Sequence, residues 1–129
     1  MTFAKPARDP GRVHLLWLEA YNAGDLDGAM SFYETGACFV SKSGQVSAGA
    51  EGVRDAYRRI LVNRPQIQVR VEKVISAGED LALVIVPWSV STPSADGKVQ
   101  TLSGVATDVV RRQPDGRWLL VIDNPYGID

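Results

Sequence analysis

The chain has 129 residues, enough for one domain with its own core and too few for two. Its 14 basic residues are scattered among 15 acidic ones for a net charge of -1, which leaves no electrostatic footprint for nucleic acid or an anionic membrane surface. A single cysteine, Cys38, and a single histidine, His14, exclude an internal disulfide framework and a Cys/His zinc cage, so neither a metal nor a cofactor is expected.

No run approaches the roughly 20 apolar residues of a membrane span, and "MTFAKPARDPGR" lacks the apolar centre of a secretory signal. The expected setting is the reducing cytoplasm. Residues 1–8 read as a loose tail and residues 9–129 as one domain. Asp9-Pro10 opens the first helix, with the carboxylate as cap and the proline where no donor is missed. Val13, Leu16, Trp17, Ala20 and Tyr21 then recur at helical spacing. Gly24 suits the left-handed position that ends a helix, and Asp25 caps the next. That second helix is expected to carry Leu26, Ala29, Met30 and Tyr33, and to end at Gly36. "ACFVS" reads as the first strand, and "KSGQVSAG" as a hairpin or a loop with a stub of strand. A third helix fits 51–64, where Val53, Ala56, Tyr57, Ile60 and Leu61 repeat the spacing before Pro65 blocks extension. The basic cluster Arg58, Arg59 and Arg64 marks its solvated end.

After Pro65 the texture becomes β-branched and aromatic. "QIQVRVEKVISA", "LALVIVPWSVS", "VQTLSGVATDVVRR" and "RWLLVIDN" read as four long antiparallel strands joined at "GED", "TPSADGK" and "QPDG". Helices at one end of the chain and a strand meander at the other give an α+β domain, helices against one face of a bent sheet. "LALVIVPW" is apolar on both faces, so the outer face is expected to pair with a second copy in a homodimer.

"WLEAYNAGDLDGAMSFYETGACFV", "GAEGVRDAYRRI" and "ATDVVRRQPDGRWLLVIDNPYG" together resemble the nuclear transport factor 2-like superfamily, in particular its small SnoaL-like and ketosteroid-isomerase-like proteins. The likeness runs from about Val13 onward. It implies a cone, with three helices on the concave face of a curved antiparallel sheet and a pocket between them. The same cone serves isomerases, dehydratases, cyclases, adaptors and assembly domains, so activity has to be argued from the pocket. In ketosteroid isomerase a helix tyrosine and a protonated late-strand aspartic acid stabilise the enolate while a first-strand aspartate moves the proton. On that pattern the helix tyrosine falls on Trp17, the moving base on Ser41, the late-strand acid on Asp108 and a wall tyrosine on Tyr57. A serine is no base at neutral pH, and standard steroid isomerisation is disfavoured.

Asp108 sits among apolar neighbours in "SGVATDVVRR". Buried, it has to be protonated or hydrogen-bonded, as a general acid, an anchoring acceptor or a structural carboxylate. Asp123 joins it on one face if "QPDG" closes as a two- or four-residue loop, close enough to share a proton. A three-residue loop with a glycine bulge puts Asn124 there instead. Trp17, Tyr21, Tyr33, Phe39, Tyr57 and Trp88 suit the wall of a pocket for a flat, largely apolar or aromatic molecule, or else plain core. Trp118 is expected to face away from the pocket, in the dimer contact. His14 reads as a surface or boundary residue, with a pocket base as the other reading, and Cys38 as buried and inert. The function expected is binding of a small apolar molecule, with isomerase, dehydratase or cyclase chemistry by Asp108 and Asp123. The rival is a non-catalytic adaptor whose hollow its own side chains fill.

Overall fold

The computed structural model describes residues 5–61 and 65–129. Asp9 accepts the Gly11 amide through its carboxylate, and a single turn at Pro10–Arg12 feeds helix α1, Val13–Asn22. Gly24, at φ +72°, turns the chain, and Asp25 accepts the Gly28 amide at the start of α2, Leu26–Met30. Both caps are those the sequence signals.

The second helix is shorter than expected and Tyr33 is not on it. Ser31 closes α2, and the Phe32 carbonyl accepts the Leu120 amide, so the chain is already drawn into the sheet. Strand β1 is Tyr33–Val40, with Gly36 in an irregular stretch of it between Tyr33 and Cys38. The period of Leu26, Ala29, Met30 and Tyr33 misleads because the first strand residue also faces the core. The stub of strand is β2, Val46–Ala48, paired with β1. Helix α3 spans Gly49–Leu61; Arg64 of the expected basic cluster lies outside the described residues.

The expected first long strand is split into β3, Gln66–Val69, and β4, Lys73–Ala77, both antiparallel to β5, Leu81–Pro93. The split lies beside Pro87, which has no amide to donate, although its carbonyl still accepts the Arg70 amide. Strands β6, Val99–Arg112, and β7, Trp118–Asp123, complete an open seven-stranded sheet of order β2-β1-β7-β6-β5-β3, with β4 also on β5. All pairs are antiparallel except β1 with β7.

Helix α1 packs on β3 and β7, and α3 on β1 and β2, so one sheet face is covered. On β5 the even positions Ala82, Val84 and Val86 are buried on that face. The odd positions point outward beside exposed Ile75, Leu81, Val105 and Ile122. Trp118 departs from expectation. It shares the covered face with Leu120 and is buried within the chain, leaving little area for a partner. Of the expected tail, residues 1–4 lie outside the described part, while Ala7 is buried and its carbonyl accepts the Trp118 amide. Among the described residues no helix is long and apolar enough to cross a membrane.

Candidate functional site

Between α1, α3 and the covered sheet face lies a cavity of about 310 Å³. Trp17, Phe39, Tyr57 and Trp88 of the six aromatic candidates line it, together with Ile67, Val86, Leu102 and Leu120. Two carboxyls and an imidazole reach this apolar hollow: Asp108, Asp123 and, against expectation, His14. They are 2%, 5% and 6% exposed, so each has to find its hydrogen bonds inside the protein.

Asp108 stands on β6 opposite Val84. Its Oδ2 lies 2.6 Å from His14 Nε2, and its Oδ1 accepts the Asn124 backbone amide at 2.7 Å. With Nε2–H donating, the neutral ring keeps its lone pair on Nδ1, which is buried and has no partner among the described residues. A carboxylate that fixes the tautomer of an imidazole is the usual way to prepare a histidine base. Of the two sequence readings of His14, surface or boundary residue against pocket residue, the structure has the second: the side chain is buried and lines the cavity. Its signal was helical spacing: it lies three residues before Trp17 and seven before Tyr21, on the same inward stripe.

Asp123 is held by tyrosines. Its Oδ2 accepts from Tyr33 at 2.6 Å and from Tyr57 at 2.7 Å, and the two hydroxyls are 3.1 Å apart. An ionised Asp123 has two hydroxyl protons aimed at it, whereas a protonated one gives the triangle three protons for three edges. Either state is therefore accommodated. Burial raises its pKa from 3.8 to about 7, and the Asp108 charge adds to the rise; the two tyrosines, then His14, oppose it. Burial likewise pushes both tyrosines well above 10, so they remain donors.

The two acids share a face through two irregularities in the hairpin. The loop has three residues, with Gln113 N–H bonded to the Arg117 carbonyl and Gly116 at φ +88°. That loop alone would put Asn124 on the face of Asp108, as expected for a glycine bulge. The register then slips between Val110 opposite Leu120 and Val109 opposite Ile122, and Asp123 turns inward. Asn124 is displaced from the cavity lining, and its side-chain amide bonds Thr107 Oγ1 and the Gly127 carbonyl. Each acid is satisfied by its own partners, and the two are linked by charge, Asp108 raising Asp123, rather than by a hydrogen bond between their carboxyls.

Three other candidates stand apart from the cavity wall. Ser41 is on the β1–β2 turn, bonded to Ser43 and to the Gln45 amide, so it cannot act in the hollow. Tyr33 stands behind the wall and acts on Asp123. Tyr21 stacks on Trp17 at 5.1 Å, its hydroxyl buried and without a partner among the described residues. Cys38 is half-buried on β1. The Trp17 ring lines the cavity, while its indole N–H is buried and has no partner among the described residues.

The model of the SnoaL-like domain matches residues 15–121. Solved structures agree in fold. A ketosteroid isomerase-like protein from Erwinia carotovora atroseptica aligns with a TM-score of 0.77 at 14% identity, over 88% of this chain and 89% of that one. A candidate dehydratase of the nuclear transport factor 2-like family from Streptomyces avermitilis aligns at 0.73 and 25% identity, over 92% and 94%. A candidate calcium/calmodulin dependent protein kinase II association domain from Xanthomonas campestris aligns at 0.78 and 18% identity, over 99% and 97%. No curated protein matches the sequence. With the family model spanning most of the chain and the same open, curved sheet in these structures, the protein belongs to the SnoaL-like domain family of the nuclear transport factor 2-like superfamily.

Proposed function

We propose that the cavity binds a small, largely apolar or aromatic molecule and that the chain's own side chains move protons on it, in an isomerisation, dehydration or cyclisation. The observation that carries this reading is Asp123, an acid held near pKa 7 at the wall of an apolar hollow that a His-Asp pair also reaches. A group poised near neutrality exchanges its proton with least loss in either direction. His14, oriented by Asp108, is the base that takes a proton from a carbon. Asp123, backed by Tyr33 and Tyr57, returns one to a second atom in an isomerisation, or to a departing hydroxyl, lost as water, in a dehydration. Trp17 and Tyr57 orient the ligand by packing their rings against it from the cavity wall. Neighbours named as isomerase-like and as a candidate dehydratase agree with this chemistry. A hollow of about 310 Å³ weighs against the adaptor reading, in which side chains fill the cone.

The same proposal includes a homodimer. Ile75, Leu81, Val105 and Ile122 lie exposed on the sheet face away from the helices, beside the outward Leu83, Ile85 and Val109 of the neighbouring strands. A second copy of this face would cover them. Native mass spectrometry of protein purified from its own source tests the ligand reading. A retained organic molecule that wild type keeps and Trp17→Ala loses is the expected result. No retained mass, together with no binding of neutral aromatic probes by the purified protein, would overturn it.

A further inference from the structure

We infer that Trp88 sets the size of ring system the cavity accepts, as its rigid side wall, and that Gly104 and the 124–127 turn hold its indole in place; this rests on the ligand-binding reading above. Trp88 on β5 stands opposite Gly104 on β6, and both point to the covered face. The ring lies over the glycine so closely that a Cβ there would sit 2.8 Å from Cζ2 and 3.0 Å from Cε2. Only glycine leaves that room. The indole N–H donates to the Pro125 carbonyl at 2.5 Å, and the Tyr126 ring meets the indole edge-on, centroids 5.5 Å apart. Pro125 and Tyr126 themselves line the cavity.

That turn is fixed in its own right. Gly127, at φ +61°, approaches the Val105 carbonyl so that a Cβ would fall 2.7 Å from the oxygen. The Asn124 side chain ties Gly127 to Thr107. Trp88 is therefore seated from below by Gly104, pinned at its nitrogen by Pro125 and braced by Tyr126. Its side chain lines the cavity midway along β5, between Val86 and Val90. A rigid, pinned aromatic wall decides size sharply, because a pocket that cannot yield rejects each added group by roughly 10- to 200-fold. The acid groups lie elsewhere on the wall, so size selection and proton transfer are separable.

The test uses three neutral phenols of increasing ring size, phenol, 2-naphthol and 9-phenanthrol, titrated calorimetrically into the full chain. Trp88→Ala removes the wall, and its ratio of 9-phenanthrol to 2-naphthol affinity should rise at least about tenfold over wild type. Gly104→Ala lifts the ring off the sheet into the cavity and should lower that ratio by a similar factor. Trp88→Phe, which keeps an aromatic wall of smaller reach, is the second variant should Trp88→Ala fail to fold, and its ratio should move the same way. Ratios within twofold of wild type in the folded variants would overturn the assignment while leaving a ligand pocket standing. A wild-type protein that binds none of the three would overturn the pocket reading itself, and this inference with it.

Discussion

Asp123→Asn gives a direct test of the buried acid. Folding raises this carboxyl from 3.8 to about 7, roughly three units, and each unit is worth about 1.4 kcal/mol of differential interaction. The native state thus prefers the protonated form by up to about 4 kcal/mol. The sign follows: between about pH 4 and pH 7 the native chain holds a proton that the unfolded chain has released, so stability falls as pH rises through that window. The contribution is fully present below about pH 4 and gone above about pH 7. Asparagine is neutral throughout, and its amide oxygen can still accept from Tyr33 and Tyr57. Urea unfolding of wild type and variant at half-unit steps from pH 4 to pH 8 should show the difference in unfolding free energy moving by a few kcal/mol in favour of the variant, most of it before pH 7. A difference that stays flat within about 0.5 kcal/mol would refute a raised native pKa, and with it the claim that this acid is poised for neutral-pH chemistry.

His14→Ala strips Asp108 of its charged or hydrogen-bonding partner in a site 2% exposed, and should cost about 3–5 kcal/mol by thermal or urea unfolding. A cost under about 1 kcal/mol would mean that the pair is not formed. Tyr57→Phe removes a hydroxyl that favours the Asp123 anion, so the pH window of the stability loss should move upward, read by the same titration; a downward move would contradict the assignment of the tyrosines as donors. Val105→Glu on the outer face should convert a dimer into a monomer in sedimentation velocity without a change in far-ultraviolet circular dichroism, and an unchanged sedimentation coefficient would rule out pairing through that face.

The parts of the fold that could be read from residues are those governed by local chemistry. Asp9 and Asp25 cap because a short carboxylate reaches free amides within one turn, and Gly24 terminates because its φ is +72°. The strands of the second half could be read because β-branched runs alternate with turn residues. Local chemistry did not reveal where sheet pairing overrides helical period. Tyr33 satisfies the spacing of α2 and yet belongs to β1, since the Leu120 amide takes the Phe32 carbonyl. His14 shows the opposite failure. It lay on the apolar stripe in plain view, but a polar side chain among apolar ones reads as boundary until a buried partner is known. That partner, Asp108, is 94 residues away.

The pairing of the acids also shows why residue patterns alone left the site open. Side chains alternate across a strand with period two, so any single extra residue in the β6–β7 hairpin reverses what faces the cavity. The three-residue loop with Gly116 is one such departure, and it selects Asn124. The slip between Leu120 and Ile122 is a second, and it restores Asp123. Neither has a residue signature that forces it. Val121 and Ile122 would suit an unbroken strand as well as a bulge. What favours the bulged register is the tertiary result: it buries a carboxyl against two tyrosine hydroxyls supplied by β1 and α3, and it delivers the Asn124 amide to Asp108. An unbulged register would turn Asp123 outward and leave the Tyr33 and Tyr57 hydroxyls inside without the acceptor they share, at about 1–3 kcal/mol for each unmet group. The irregular hairpin is therefore held by the site it creates, and the chemistry proposed for this protein depends on a backbone displacement of one residue.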